Sequence, residues 1–292
     1  MRSGFVAVAG RPNVGKSTLV NALAGGKVAI VSDKPQTTRR RISAVVDGEL
    51  DTAPYQLVLV DLPGFQRPRD ALTERMQRTV DEALVDVDGF LFVLAADEAI
   101  GAGDRFIAER IYAAGPPVVV AVNKVDRVDP ARIAGQIVTA AALGDFHALH
   151  PVSGLTGDGL EPLRADLAAL LPEGPRYFEE GQRTDLPLEA RIAEIVREKA
   201  LELTREEVPH AISVEVDELD AEAGGVSAQV WVETESQKGI VVGTGGGMIR
   251  AIGTRARPEV ESLLGRSVFL DLRVKVRPRW RRDEGALERL GI

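Results

Sequence analysis

The stretch that decides the fold is FVAVAGRPNVGKS, Phe5–Ser17, an apolar run that turns through a glycine-bounded loop into what reads as a helix. Gly10 to Ser17 match the pattern G-x-x-x-x-G-K-[ST], in which backbone N–H groups turn inward around phosphates. Gly10 and Gly15 allow that turn, and Arg11, Pro12, Asn13 and Val14 supply the backbone between them. The following helix, opening through Thr18, presents its positive end to an anion. Lys16 would reach the β- and γ-phosphates, and the Ser17 hydroxyl would coordinate Mg²⁺. Chance produces this pattern in roughly 1% of chains of this length, so its position after a strand and before a helix carries the reading of a mononucleotide site.

Working outward, four more apolar runs end in polar or glycine-bearing elements: QLVLVD, GFLFVLAAD, PVVVAVNK and ALHPVS. Nearly continuous Val, Leu, Ala and Phe are expected of strands buried on both faces, and their alternation with amphipathic helical stretches predicts a mostly parallel sheet. Ligands in such sheets gather at the carboxyl ends of the strands. NKVD, Asn123–Asp126, stands at one of these ends. The Asp126 carboxylate suits the N1–H and exocyclic amine of guanine, whereas adenine would leave it unpaired, and sites built on such bonds reject the analogue by about 10⁴ or more. Asn123 would hold the base edge and its own loop, while the Lys124 stem lies along the ring. Ser153, Gly154 and Leu155 offer backbone N–H groups for guanine O6.

DLPG, Asp61–Gly64, falls between these motifs. Asp61 is expected on the metal side and the Gly64 N–H at the γ-phosphate. In DKPQTTRRR, Thr37 or Thr38 could close on Mg²⁺ and the γ-phosphate, and Thr38, directly before the arginines, is preferred. The expected metal set is therefore Ser17, Thr38 and Asp61, and the groups expected to act on the reacting phosphate are Lys16, Asn13, Thr38 and Gly64. After Gly64 comes Phe65, where a water-orienting glutamine would stand in Ras-like proteins. Gln66 is one place late, so slow intrinsic turnover is expected.

At 292 residues the chain exceeds the ~100–150 of a common domain, which argues for two. The domains are expected at 1–171 and 188–282, joined by a Pro- and Gly-rich linker, 172–187, and followed by a tail, 283–292. An absence of cysteine excludes disulfides and cysteine-based metal sites and fits a reducing compartment. No run approaches the ~18 apolar residues of a membrane span, so a cytoplasmic protein is expected. His147, His150 and His210 are scattered and read as structural.

The net charge is −8, yet Lys238–Arg282 holds eleven basic and three acidic residues and is +8, leaving −16 for the remainder. A basic patch on an acidic protein is an electrostatic footprint for a polyanion. The second half reads as helix, strand, strand, two helical pieces split at Pro258, and strand. Its apolar alternations are Ile212/Val214/Val216, Val226/Ala228/Val230/Val232 and Val268 to Val276. Within it, GIVVGTGGGMIRAIG, Gly239–Gly253, follows a polar, strand-like segment. It is no second phosphate loop, because Met248 and Ile249 stand where Lys and Ser are needed. It is no dinucleotide fingerprint either, because Met248 occupies the last glycine position. Gly243-Thr244-Gly245-Gly246 remains as the G-x-x-G loop of a KH domain, which clamps about four single-stranded nucleotides. Candidate RNA contacts beside it are Lys238, Gly239, Ile240, Val242, Ile249 and Arg250, with Val241 and Ile252 as further groove lining. On the last strand and beyond, Lys275, Arg277 and Arg281 are basic candidates, and Trp280 could stack on a base or close the core.

Residues 5 to about 170 resemble the translation-factor-related GTPases. With GRPNVGKSTLVN, PQTTRRRI, NKVD, EIVREKAL, ETESQKGIVVGTGGGMIRAIG and LLGRSVFLDLRVKVRPRW, nearly the whole chain resembles the Era-type family of bacterial ribosome-assembly GTPases. The resemblance implies an α/β P-loop GTPase domain, with helices on both faces of a mostly parallel sheet, followed by an α+β type II KH domain. It implies GTP and Mg²⁺ as ligands, with K⁺ near the β/γ-phosphates held partly by Asn13. It also implies the 3′ end of 16S ribosomal RNA and the 30S subunit as partners, with peripheral association at the inner membrane and no DNA. Leu62 stands where that family has Thr, and Thr244 where it has Lys, which removes one phosphate contact. Apart from the resemblance, the residues read as a GTP switch joined to a single-strand RNA clamp, or as an RNA-binding module in which GTP is a structural ligand.

Overall fold

The computed structural model describes residues 1–34, 36–65, 68–220 and 222–292. They form two compact units, one of Met1–Ala29, Thr38–Arg67 and Arg75–Asp185, the other of Ile30–Thr37, Pro68–Glu74 and Leu186–Ile292.

The first unit carries strands β1 (Arg2–Ala9), β2 (Ile42–Leu50), β3 (Ala53–Asp61), β4 (Gly89–Ala95), β5 (Val118–Asn123) and β6 (Ala148–Pro151). They lie in the order β2-β3-β1-β4-β5-β6, and every pairing is parallel except that of β2 with β3. Successive side chains of a strand point to opposite faces, and here both faces are covered. Val6, Val8, Leu91 and Val93 pack in one apolar cluster, while Ala7, Ala9, Phe90 and Phe92 pack in another. Each fully buried Val, Leu or Phe among them contributes about 1.5–3 kcal/mol. Helices α1 (Lys16–Leu23), α2 (Ala71–Ala83), α3 (Ala102–Ala114), α4 (Pro130–Ala141) and α5 (Leu160–Ala169) connect the strands.

Strand β2 is absent from the sequence-based reading. It returns antiparallel on β3 through Asp51 and Thr52, both at positive φ (50° and 66°), which is the backbone of a tight hairpin turn. Neither residue is the glycine that usually marks such a turn.

The stretch 172–187 is not an unattached connection, because residues up to Asp185 group with the first unit. The Gln56 side chain accepts from the N–H groups of Tyr177 and Phe178 at 2.8 and 2.9 Å, and Ser43 Oγ donates to Asp185 at 2.7 Å.

The second unit runs α6 (Leu188–Leu203), α7 (Val208–Ala211), β7 (Ser213–Asp220), β8 (Gly225–Val232), α8 (Glu235–Val242), α9 (Gly247–Leu264), β9 (Phe269–Val276) and α10 (Glu284–Arg289). Its sheet is β7-β8-β9, with β8 antiparallel to β7 and parallel to β9. Val226, Ala228, Val230 and Val232 of β8 meet Ile192 and Val196 of α6 and Ile252, Ala256 and Val260 of α9 in one core.

The helical pair differs from expectation in where it divides. The polar stretch before the glycines is helix α8, opened by a capping box in which Thr234 and Gln237 satisfy each other's backbone N–H groups. Helix α9 continues through Pro258, so the break lies at the G-x-x-G loop. The expected tail, 283–292, is likewise structured: Asp283 caps α10 by accepting from Ala286 N at 3.1 Å, and Leu287 and Leu290 are buried.

Candidate functional site

The nucleotide loop lies between the end of β1 and the start of α1 and is braced from behind. Gly15, at φ 95°, stands so close to Asn123 that a Cβ would fall 2.4 Å from the Asn123 amide nitrogen. That amide nitrogen donates to the Val14 carbonyl at 3.0 Å, and its carbonyl oxygen accepts from Gly154 N at 2.9 Å. One buried side chain at the end of β5 therefore ties the phosphate loop to the loop after β6.

Lys16 is buried, and its ammonium donates to the loop carbonyls of Gly10 and Arg11 at 3.1 and 3.0 Å. Burial pulls its pKa down to about 8, against the opposing pull of Asp61. Asp61, fully buried at the end of β3, has its carboxyl pushed up by burial, with Lys16, Ser17 and Thr38 opposing. Ser17 Oγ donates to Asp61 Oδ2 at 2.7 Å, Thr38 Oγ1 donates to the same oxygen at 3.3 Å, and the two hydroxyls are 3.1 Å apart. Asp61 Oδ1 has no hydrogen-bond partner among the described residues. Two hydroxyls and a carboxylate with a spare oxygen are the hard oxygen donors that Mg²⁺ takes alongside phosphate.

At the base-reading end, Asp126 follows Lys124, which is held at φ 68° with its ammonium 3.4 Å from Asp97. Ser153 Oγ donates to Asp126 Oδ1 at 2.6 Å and accepts from the N–H groups of Leu155 and Thr156 at 3.2 and 3.1 Å. The expected set Asn123, Lys124, Asp126 and Ser153–Leu155 is thus brought together, and the Ser153 side chain adds an orienting bond that sequence reasoning missed. It also missed the anchoring of Arg11, which pairs with Asp104 at 3.0 Å and Glu98 at 2.5 Å. Phe65 is buried with the apolar cluster that holds Val60 and Leu62, while Gln66 lies outside the described residues. His150 bonds to Asp166 at 2.7 Å.

In the second unit, Gly243, Gly245 and Gly246 have φ of 71°, 58° and 76°. A Cβ on Gly243 would sit 2.8 Å from Met248, so the loop folds tightly onto the start of α9. Gly245 faces open space, and its carbonyl accepts from Arg250 at 2.6 Å. Thr244, Arg250 and Ile240 are exposed and Lys238, Val242 and Ile249 half-buried, but Val241 and Ile252 are fully buried core residues and line no open groove. Of the two roles open to Trp280, the structure gives the core one: it is buried, and its indole N–H donates to the Ala211 carbonyl at 2.9 Å. The Arg281 guanidinium is already held by Glu233 at 2.7 Å, which removes it as a free phosphate contact. Lys275 is exposed and Arg277 half-buried.

Known proteins share both units. Residues 5–124 match the family described as 50S ribosome-binding GTPase, and residues 207–281 match the KH domain. The chain is 46% identical over 299 aligned residues to GTPase Era of Mycobacterium tuberculosis, covering 99% of this chain and 98% of that one. It is equally similar to GTPase Era of Mycobacterium avium, over 100% and 99% of the two chains. Among solved structures, it is similar to an Aquifex aeolicus Era variant bound to GDP and AlF4⁻, with a TM-score of 0.94, 38% identity and coverage of 100% and 99%. It is also similar to Era in complex with MgGDPNP and nucleotides 1506–1542 of 16S ribosomal RNA, with a TM-score of 0.92, 38% identity and the same coverage. A phosphate loop and a separate G-x-x-G unit, matched end to end at this identity, mean that the chain belongs to the Era family of GTPases.

Proposed function

We propose that this GTPase uses the state of its nucleotide to time a hold on the 3′ end of 16S ribosomal RNA, and so assists maturation of the 30S subunit. The observation that carries the timing is the membership of the second unit. Residues 30–37 and 68–74, which lead into Thr38 and away from the Asp61–Gly64 motif, belong to the unit that bears the G-x-x-G loop. Buried Arg197 of α6 donates to the Thr37 carbonyl, and Glu198 accepts from Val31 N at 2.9 Å. A change at the γ-phosphate that moves Thr38 is therefore transmitted along the chain to a segment held by the RNA-binding unit. The choice of RNA is supported by the 16S nucleotides bound to Era in the similar complex.

In the first unit, the loop N–H groups and Lys16 receive the phosphates, whose negative charge offsets the hydration that Lys16 loses on burial. Ser17, Thr38 and Asp61 would hold Mg²⁺, which neutralises phosphate charge when bound. Asp126, oriented by Ser153, selects guanine. Gly64 N–H and Asn13 are assigned to the γ-phosphate side, and Asn13 would help to hold K⁺. Because Phe65 is packed in the core, it orients no water, and intrinsic hydrolysis is slow. In the second unit, Gly243–Gly246 clamp the strand backbone, with Lys238, Arg250 and Lys275 as cationic contacts. A cytoplasmic location with peripheral association at the inner membrane rests on the family resemblance, and no described helix is long and apolar enough to cross a membrane.

Single-turnover GTP hydrolysis, with and without an RNA carrying the 16S 3′ end, in KCl and in NaCl, tests this reading. RNA is expected to change the rate or the GTP affinity, and K⁺ to accelerate hydrolysis. A rate and affinity indifferent to RNA would instead mean that GTP is a structural ligand of an RNA-binding module. Equal rates in the two salts would remove the K⁺ assignment.

A further inference from the structure

The sheet of the second unit has a second face, and a cavity lies against it. Val226, Ala228, Val230 and Val232 of β8 point into the helical core, so the alternate residue Trp231 points the other way. Trp231 is nevertheless buried, and it lines a cavity of about 310 Å³ together with Arg277, Trp280, Asp283 and Arg289. The guanidinium of Arg277 lies over the Trp231 ring, 5.1 Å from its centroid. Two polar atoms of these lining residues are buried without a hydrogen-bond partner among the described residues, the indole N–H of Trp231 and the Nε–H of Arg277. Buried donors normally find a partner, and each orphan costs about 1–3 kcal/mol. Two such donors on neighbouring lining residues leave hydrogen bonds that an acceptor entering the cavity could complete.

We propose that this cavity binds one unstacked nucleotide of single-stranded RNA, at a site separate from the G-x-x-G loop. Its size matches the lower end of small-ligand pockets, ~300–1,000 Å³. Its lining combines two tryptophans with guanidinium groups, side-chain types that single-strand binding sites use. Arg277 and Arg289 supply positive charge for phosphate or for base carbonyls, and Asp283 supplies an acceptor for an exocyclic amine. Glu215 of β7 sits 4.0 Å from Arg289, a loose pair that an incoming phosphate can displace. The approach is cationic too: Lys275 pairs in register with Trp231, and Arg273, two residues back on the same strand face, is exposed. A strand clamped at Gly243–Gly246 would thus gain a second grip. This site rests on the reading of the second unit as an RNA binder, but it is testable without a strand.

Both tryptophans of the chain line this cavity, so intrinsic tryptophan fluorescence of the full-length protein reports on it directly. Titration with cytidine or uridine 5′-monophosphate is expected to quench the emission saturably, and inorganic phosphate to do so much less. R289Q changes an exposed side chain and should weaken the nucleotide effect about tenfold while GTP affinity stays unchanged. R277Q should do the same, with its melting temperature recorded to separate lost binding from lost folding. G245D should weaken binding of a labelled 16S 3′-end oligonucleotide about tenfold and leave the mononucleotide quench intact, which distinguishes failure of the clamp from failure of this cavity. Absence of quenching at millimolar nucleotide, equal quenching in R289Q, or equal quenching by phosphate alone would each overturn the assignment.

Discussion

The two glycine loops are built in opposite ways. The first is locked from behind: Asn123 leaves no room for a side chain at Gly15, and Lys16 is folded onto its own loop carbonyls. The second is locked at one end alone. Gly243 is pressed against Met248, whereas Gly245 faces open space with Arg250 on its carbonyl. A small ligand of fixed shape is met by a rigid, buried cradle in which charges already oppose one another. A strand of many shapes is met by an open ledge anchored at its base.

That contrast can be broken at the rigid end with the largest effect. Asp126→Ala removes the carboxylate proposed to distinguish guanine, and discrimination of GTP over ATP in a competition titration should collapse by about 10⁴. Gly15→Ala comes next. It adds a Cβ at a left-handed φ and against Asn123, at a strain of about 1–3 kcal/mol before the clash is counted, so GTP affinity should fall by about tenfold to a hundredfold in calorimetry. At the open loop, Gly245→Asp meets no neighbour and keeps a backbone that Asp tolerates. RNA affinity should drop about tenfold while the melting temperature stays near that of the unaltered protein. The mildest change, Thr244→Lys, restores a phosphate contact. It should tighten RNA binding about threefold to tenfold at low salt and steepen the salt dependence by about 0.7 in log–log slope.

The rigid site was the more legible of the two. Its residues sit at strand ends, and a run such as GFLFVLAAD declares a strand buried on both sides. What escaped notice depended on contacts distant in sequence. Strand β2 escaped because its turn, Asp51–Thr52, adopts positive φ without glycine. The segment up to Asp185 looked like a linker because the Gln56 and Ser43 bonds that fix it come from elsewhere in the chain. The polar segment before Gly239 reads as strand-like, although Thr234 and Gln237 already spell the capping box that opens helix α8. Trp231 alternates away from the core and would be expected in solvent, yet it is buried beside a cavity walled in part by residues of α10.

The central claim is that the nucleotide is read by the unit that holds RNA, through residues 30–37. The direct measurement is the affinity of the full-length protein for a 16S 3′-end oligonucleotide, in the presence of GDP and of a non-hydrolysable GTP analogue. The two affinities should differ at least fivefold, a coupling of about 1 kcal/mol or more, and by linkage the RNA should change the preference for the GTP analogue over GDP by the same factor. Replacing Arg197 with Met, which frees the Thr37 carbonyl, should shrink that factor. Equal RNA affinity in both nucleotide states would contradict the account.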